Sequence, residues 1–445
     1  MSVQVVEAVR EAGVVGAGGA GFPTHIKLAA RAEIVIANGA ECEPLLCANQ
    51  ELMKDRAEGV IEGLRRAMEA TGAAKGIIAL KGKYSECIEA LTQALDKTKA
   101  SDKESRIELF RLDNFYPAGD EHVLVKEVTG RTIPEAGLPL DVGVVVQNVE
   151  TLYNIGRAAQ GRPVTDKMVT VAGAVRQPVT LRAPLGTPAA ELLKAAGGPT
   201  VDSYILIDGG PMMGKVIQEE SPVIKTTSGL LVIPRDTPAA TGKTANWSVM
   251  LARARAACCQ CRYCTDLCPR YLLGHSLEPH RIMRAVANGI GDVQALTSAL
   301  LCSECGLCET AACPMGLSPR RVNAELKKIL AQKGVRYARR EVGREREEER
   351  RSRRFPAKKL LLRLGMGEHD LYAPYREVNL VPERVVLPLK QHAGKAAVPV
   401  VKVGQEVKAG DLLADIPENS LGARLHSSID GRIADISEEA IVVVR

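Results

Sequence analysis

Eight of the chain's twelve cysteines fall in two short runs, Cys258-x2-Cys261-x2-Cys264-x3-Cys268-Pro269 and Cys302-x2-Cys305-x2-Cys308-x4-Cys313-Pro314. Two-residue spacing lets a tight loop aim three thiolates at one inorganic core, and a fourth cysteine before proline completes an iron-sulfur pattern. Zinc competes, because C-x2-C pairs also build tetrahedral four-thiolate sites, but three cysteines at successive x2 spacings followed by Cys-Pro fit zinc poorly. A disulfide framework fits less well. The chain is long enough for ordinary cores, and Glu7 and Glu11 interrupt any signal-peptide apolar stretch, so reduced thiols in a reducing compartment are expected.

The runs resemble those of bacterial two-cluster ferredoxins, where the fourth cysteine of each run ligates the other cluster. That resemblance implies one [4Fe-4S] cluster on Cys258, Cys261, Cys264 and Cys313, and a second on Cys302, Cys305, Cys308 and Cys268. The x4 spacing before Cys313 departs from the common pattern, and Cys259 is an extra thiol read as a bystander.

A length of 445 residues suggests three or four domains, since single cores stop growing at roughly 250–300 residues. Aromatic residues are only 3%, so the cores must be built from Val, Leu, Ile and Ala. The net charge of +6 is a mild bias, concentrated in the interleaved Arg and Glu of residues 336–359, which read as a solvated helix or linker. A nucleic-acid partner is therefore not expected. No apolar run approaches the roughly 18 residues that span a bilayer, so the expectation is a cytoplasmic protein with no membrane span.

Near the N-terminus, Val5, Val6, Val9 and Ala12 lie near one helical face before Gly13 stops the pattern. The loop Gly16-x-Gly18-x-x-Gly21 follows a helix and precedes Phe22-Pro23, whereas a Rossmann fingerprint needs a strand before it and a helix after. What remains is a glycine loop whose bare N–H groups can approach a phosphate, with Lys27 as counter-charge.

A wider pattern follows: Asn38-Gly-Ala-Glu41-Cys42-Glu43-Pro44 after a strand-like Ile34–Ala37, then Tyr116-Pro-Ala-Gly119-Asp120-Glu121, and Gln147-Asn148-Val149-Glu150-Thr151 after an apolar run. It resembles the flavin domain of the NADH-oxidising subunit of respiratory complex I and of the RnfC component of the Rnf ion-translocating complex. The resemblance implies FMN held by Gly16, Gly18, Lys27, Asn38, Glu41, Gly119, Asp120, Glu121, Asn148 and Thr151, and NADH received by Phe22 and Glu43. Cys42 and Asp120 differ from the complex I residues. His25 and His122 read as hydrogen-bonding residues, and no catalytic residue is assigned, because hydride transfer to a flavin needs no general base.

From Val169 onward, short β-branched runs surround one helical stretch, Ala189–Ala196, as in a β-grasp unit. Gly209-x4-Gly214-Lys215 imitates a P-loop but lacks the Ser or Thr for magnesium and contains Pro211, so it reads as a turn packing this domain on the flavin domain. Between the cysteine runs the sequence is mostly helical, and Ser318-Pro319 is expected to cap a helix running to Gly334. From Arg384 the pattern resembles the barrel-sandwich hybrid of lipoyl and biotinyl carriers. Its hairpin Ser427–Gly431 has no lysine, so it is read as a docking or structural module rather than a swinging arm.

The expected fold is multidomain α/β and α+β: a Rossmann-like flavin domain (1–160), a soluble-ligand-binding β-grasp domain (161–245), a two-cluster ferredoxin-like domain (246–335), a charged linker (336–380) and a C-terminal barrel-sandwich hybrid (381–445). This order resembles the cobalamin reductases of propanediol-utilisation microcompartments. The resemblance implies an NADH-dependent reductase with FMN and two [4Fe-4S] clusters, which reduces cobalamin cobalt towards Co(I) for adenosylation. It also implies a corrinoid adenosyltransferase and microcompartment shell proteins as partners, and a microcompartment location. Two alternatives stand beside it: an Rnf-like electron-transfer protein passing electrons between NADH and ferredoxin or a membrane complex, and a non-enzymatic electron conduit.

Overall fold

The computed structural model describes residues 2–101, 106–343 and 346–445. The first layer is a four-stranded, all-parallel sheet in the order Ile107–Leu112, Lys75–Lys81, Ile34–Gly39, Val144–Asn148. Its central strands are nearly continuous apolar runs, as burial on both faces requires. Helices Ala57–Thr71 and Val149–Ala158 press together at Gly63, where an added Cβ would lie 1.7 Å from the Leu152 carbonyl oxygen, so only glycine permits that approach.

The chain next builds a five-stranded mixed sheet in the order Val179–Pro184, Asp166–Gly173, Gly229–Pro234, Tyr204–Asp208, Lys215–Ile217. Its inner pair, 166–173 with 229–234, is parallel and the remaining pairs are antiparallel, with helix Ala189–Ala195 as the crossover element of a β-grasp. The cysteine region is helical between its loops, with Trp247–Ala257, Pro279–Asn288, Val293–Ser298 and Pro319–Gln332. Ser318 does stand at the N-cap, but its side chain makes no capping bond there; Pro319 opens the helix instead. The C-terminal sheets, 384–388/440–444/431–436/406–407 and 398–399/412–415/425–426, face each other as a barrel-sandwich. Ser427 and Ile429 of the hairpin are buried, Asp430 is exposed, and Ser428 Oγ donates to the Leu185 carbonyl of the β-grasp domain at 2.5 Å.

The charged segment differs from the solvated linker expected of it, although positions 344 and 345 within it lie outside the described residues. Arg350 and Arg354 both reach Glu127 of the flavin domain, and the Arg346 guanidinium stacks 3.9 Å above the Tyr271 ring of the cysteine region. Phe355–Pro356 then pairs as a strand with Phe115–Tyr116. Alternating charge here marks a strap whose arginines find carboxylate and aromatic partners on two other domains. Leu360, Leu361, Leu364 and Met366 continue it into an apolar cluster with Leu45, Tyr116, Met212, Cys305 and Leu307, where four regions of the chain share one core.

Candidate functional site

In the parallel sheet, strand 34–39 is followed in sequence by neighbours on one side, while strand 144–148 lies on the other. A crevice opens outside the carboxyl ends of strands at such a reversal, where open α/β sheets bind ligands. Asn38 and Asn148 are register partners at that edge. Asn38 Nδ2 donates to the Gly119 carbonyl at 2.9 Å, and Asn148 Oδ1 accepts from the Glu150 N–H at 2.8 Å, capping the helix that starts at Val149.

The glycine loop closes over the same edge. Helix Ser2–Glu11 ends, Gly13 turns with φ +65°, and the Gly16 N–H donates to the Phe22 carbonyl at 2.9 Å. Ala17 is held at both ends: its N–H donates to Thr151 Oγ1 at 2.9 Å, and its carbonyl accepts from Lys167 Nζ at 3.2 Å. Lys167 is a fully buried β-grasp residue that also pairs with Glu150. Gly18, Gly19 and Ala20 are left exposed. A Cβ at Gly18 would sit 2.8 Å from Asn148 Nδ2, and one at Gly119 would sit 3.1 Å from Cys42 Sγ. This is a cradle that side chains would fill, as a phosphate-bearing planar ligand requires.

Lys27 Nζ meets Glu121 at 2.9 Å and the Val146 carbonyl at 3.2 Å. The Glu41 carboxylate accepts from the Asn49 N–H at 2.8 Å, and burial pushes its pKa up to about 7. Two further residues read from sequence as ligand contacts have partners in other parts of the chain. Asp120 caps helix Glu121–Thr129 and forms a buried ion pair with Arg270 Nη2 at 3.0 Å. Glu43 accepts from the N–H groups of Met212 and Met213 at 3.0 and 2.8 Å, which fastens the P-loop look-alike to the flavin domain as a packing turn.

Each cysteine loop curls through left-handed residues placed between its thiols: Gln260 (φ +56°) and Arg262 (+69°) in the first, Glu304 (+60°) and Gly306 (+83°) in the second. Such alternation of hand gathers backbone N–H groups into concavities that favour anions and iron-sulfur cores. Accordingly, Cys302 Sγ accepts from the Glu304 N–H and Cys313 Sγ from the Leu317 N–H, both at 3.3 Å. Cys258, Cys261, Cys264 and Cys313 line one pocket, the outer set. Burial raises the pKa of Cys268, Cys305 and Cys308, and the neighbouring Cys302 adds to the rise in each, which groups these four thiols as the inner set. Burial pushes the Cys264 and Cys268 thiols up to about 12, and thiolate ligation to a metal releases such protons. Among the described residues, no three His, Cys, Asp or Glu groups close round a point tightly enough for a single metal ion.

The inner set abuts the flavin domain. Tyr116 Oη donates to the Cys305 carbonyl at 2.7 Å, and Arg270, two residues after Cys268, meets Asp120. Tyr116 and Asp120 bracket the same flavin-domain turn that contains Gly119. Sequence reasoning missed Tyr116, Lys167, Arg270 and Asn49 as positioning residues. Tyr116 heads the Tyr116–Glu121 motif and Arg270 stands beside Cys268-Pro269, whereas Lys167 and Asn49 carry no local signal.

Residues 9–157 match the Nuo51 FMN-binding domain, 168–216 the SLBB domain, 257–318 the 4Fe-4S dicluster domain and 375–444 the RnfC barrel sandwich hybrid domain. Cobalamin reductase PduS of Salmonella typhimurium is 47% identical over 99% of this chain and 96% of its own length, and that of Citrobacter freundii is 46% identical with the same coverage. The RnfC-type component of the Na(+)-translocating ferredoxin:NAD(+) oxidoreductase complex of Acetobacterium woodii is 37% identical over 59% of this chain and 57% of its own. In fold, the chain is similar to NAD+-reducing [NiFe]-hydrogenase, with a TM-score of 0.51 at 21% identity over 80% of this chain and 63% of that one. Among the described residues, no helix is long and apolar enough to cross a membrane. Likeness at nearly half identity runs from end to end and includes both the flavin cradle and the paired cysteine loops, so the chain belongs to the cobalamin reductase PduS family of FMN- and 4Fe-4S-containing oxidoreductases.

Proposed function

We propose that this chain is an NADH-dependent reductase whose acceptor is cobalamin, with cobalt taken towards Co(I) for a corrinoid adenosyltransferase, inside a cytoplasmic microcompartment whose shell proteins enclose it. When bound, FMN supplies a two-electron acceptor that can release electrons singly, and the clusters supply one-electron relays. Gly16, Gly18, Asn38, Gly119, Asn148 and Thr151 shape the flavin cradle, Lys27 supplies positive charge beside Glu121, and Glu41 closes the pocket floor. Asp120 acts from behind, by holding Arg270. Phe22 receives NADH at the loop mouth; Glu43 would meet ribose only by exchanging its bonds to Met212 and Met213.

Cys268, Cys302, Cys305 and Cys308 hold the cluster nearer the flavin, and Cys258, Cys261, Cys264 and Cys313 hold the one nearer the acceptor. The observation that carries this order is the buried Tyr116 hydroxyl bonded to the Cys305 carbonyl, which joins the flavin-domain turn to one cysteine loop and leaves the other facing solvent. Anaerobic NADH-dependent reduction of hydroxocobalamin, followed spectroscopically, tests the function. Flavin bleaching without cobalt reduction removes the acceptor, and no bleaching removes the donor. Lys27→Ala is expected to weaken flavin retention, and an unchanged FMN stoichiometry after dialysis contradicts that placement.

A further inference from the structure

A cavity of about 450 Å³ lies between the β-grasp turn, helix Pro238–Thr244 and the loop that follows Cys308. That volume is within the range of small-molecule sites, roughly 300–1,000 Å³. Pro211, Met212 and Leu364 give it apolar walls, and Cys313 and Pro314 of the outer set form one side.

Its charges are unequally committed. Lys243 donates to the Gly214 carbonyl at 2.5 Å, and Arg320 Nε donates to Glu309 Oε1 at 2.6 Å. Arg253 and Arg363 line the cavity from exposed positions and have no ion pair among the described residues. In the opposite sense, Glu309 Oε2 is buried with no hydrogen-bond partner. A desolvated acceptor of this kind costs stability until a donor arrives. The cavity therefore asks for one ligand carrying both an anion for two guanidinium groups and N–H donors for a carboxylate. Guanidinium is suited to phosphate oxygens because its planar fork of donors can bond them in pairs.

We propose that this cavity is the acceptor site, and that it binds the phosphodiester arm and adjacent carboxamides of a corrinoid beside the cluster of Cys313. Arg253 and Arg363 take the phosphodiester; Glu309 Oε2 accepts from a carboxamide N–H. The inference rests on the cobalamin reading above and adds to it the place and the chemistry of recognition.

The test compares hydroxocobalamin with hydroxocobinamide, which lacks the phosphodiester arm, by equilibrium dialysis against oxidised holoenzyme. The wild type is expected to bind hydroxocobalamin more tightly. Arg253→Ala/Arg363→Ala weakens hydroxocobalamin about tenfold or more, the loss of charge-assisted bonds, and leaves hydroxocobinamide unchanged. Arg253→Lys/Arg363→Lys retains part of the difference, and iron content with the visible spectrum reports intact folding. Equal wild-type affinity for the two corrinoids, or an unchanged affinity in the Ala variant, overturns the cavity assignment. The acceptor reading itself falls separately, if wild-type holoenzyme bleaches with NADH and reduces no cobalt.

Discussion

The inner set, Cys268, Cys302, Cys305 and Cys308, and the outer set, Cys258, Cys261, Cys264 and Cys313, use the same loop chemistry in opposite surroundings. Three inner thiols, Cys268, Cys305 and Cys308, are 8% exposed, and Cys305 packs in one cluster with Tyr116, Met212 and Leu307, whereas Cys261 is exposed, as are Tyr263 at 57% and Met315 at 44%. Solvent exposure and hydrogen bonds to sulfur are among the levers that set a cluster's potential, so matching ligands need not make matching relays. The contrast teaches that the fold, by choosing which loop to bury against the flavin domain, gives two similar loops different surroundings.

The largest expected effect separates the sets directly. Cys305→Ser should cost about half the iron and bring NADH-driven reduction of the remaining cluster to background. Cys261→Ser should cost as much iron yet leave the remaining cluster reducible by NADH, read by electron paramagnetic resonance. The reverse pattern breaks the proposed order.

Next is the difference in anchoring. Arg270→Met strands Asp120 at a buried contact and should destabilise by about 3 kcal/mol, as broken buried pairs do. Arg281→Met, whose partners Glu278 and Asp292 lie at the partly exposed rim near the outer set, should cost under about 1 kcal/mol. Urea midpoints decide, and equal losses would erase the distinction.

A smaller change is Tyr116→Phe, which removes the donor to the Cys305 carbonyl. It should cost about 1–2 kcal/mol and slow cluster reduction after mixing with NADH in stopped flow, with flavin bleaching unchanged. A change in bleaching instead would place Tyr116 at the donor step.

The smallest expected effect lies on the flavin side, in the response of one buried carboxylate to pH. Burial raises the Glu41 pKa from 4.5 to about 7, so the folded state binds that proton more tightly than the unfolded chain. The stability gained is fully present below the ordinary 4.5 and is lost as pH rises through about 7. Glu41→Gln should flatten the apoprotein's denaturation midpoint across that window, and a persisting slope would assign it to other groups.

Much of the fold was legible locally. Glycine punctuation and apolar runs marked the parallel strands Ile34–Gly39 and Val144–Asn148 and the helix Ala189–Ala195, because turn and strand preferences act over a few residues. The charged segment 336–359 reads as solvated from sequence because alternating Arg and Glu look the same whether they face water or, as Arg350 and Arg354 do, a carboxylate on another domain. Glu43 and Asp120 lay in motifs that resemble ligand contacts, and nothing near them in sequence points to Met212 or Arg270.

The amino-acid order alone determined that eight thiols would form two curled loops and that bare N–H groups would crown the first helix, since spacing of two or three residues sets those geometries through backbone sterics. Which loop is sealed against the flavin crevice was decided only in three dimensions. Tyr116 and Cys305 are 189 residues apart, and Asp120 and Arg270 are 150 apart. Burial and ion pairing act through space, and a short-range pattern holds no trace of which distant surface will arrive.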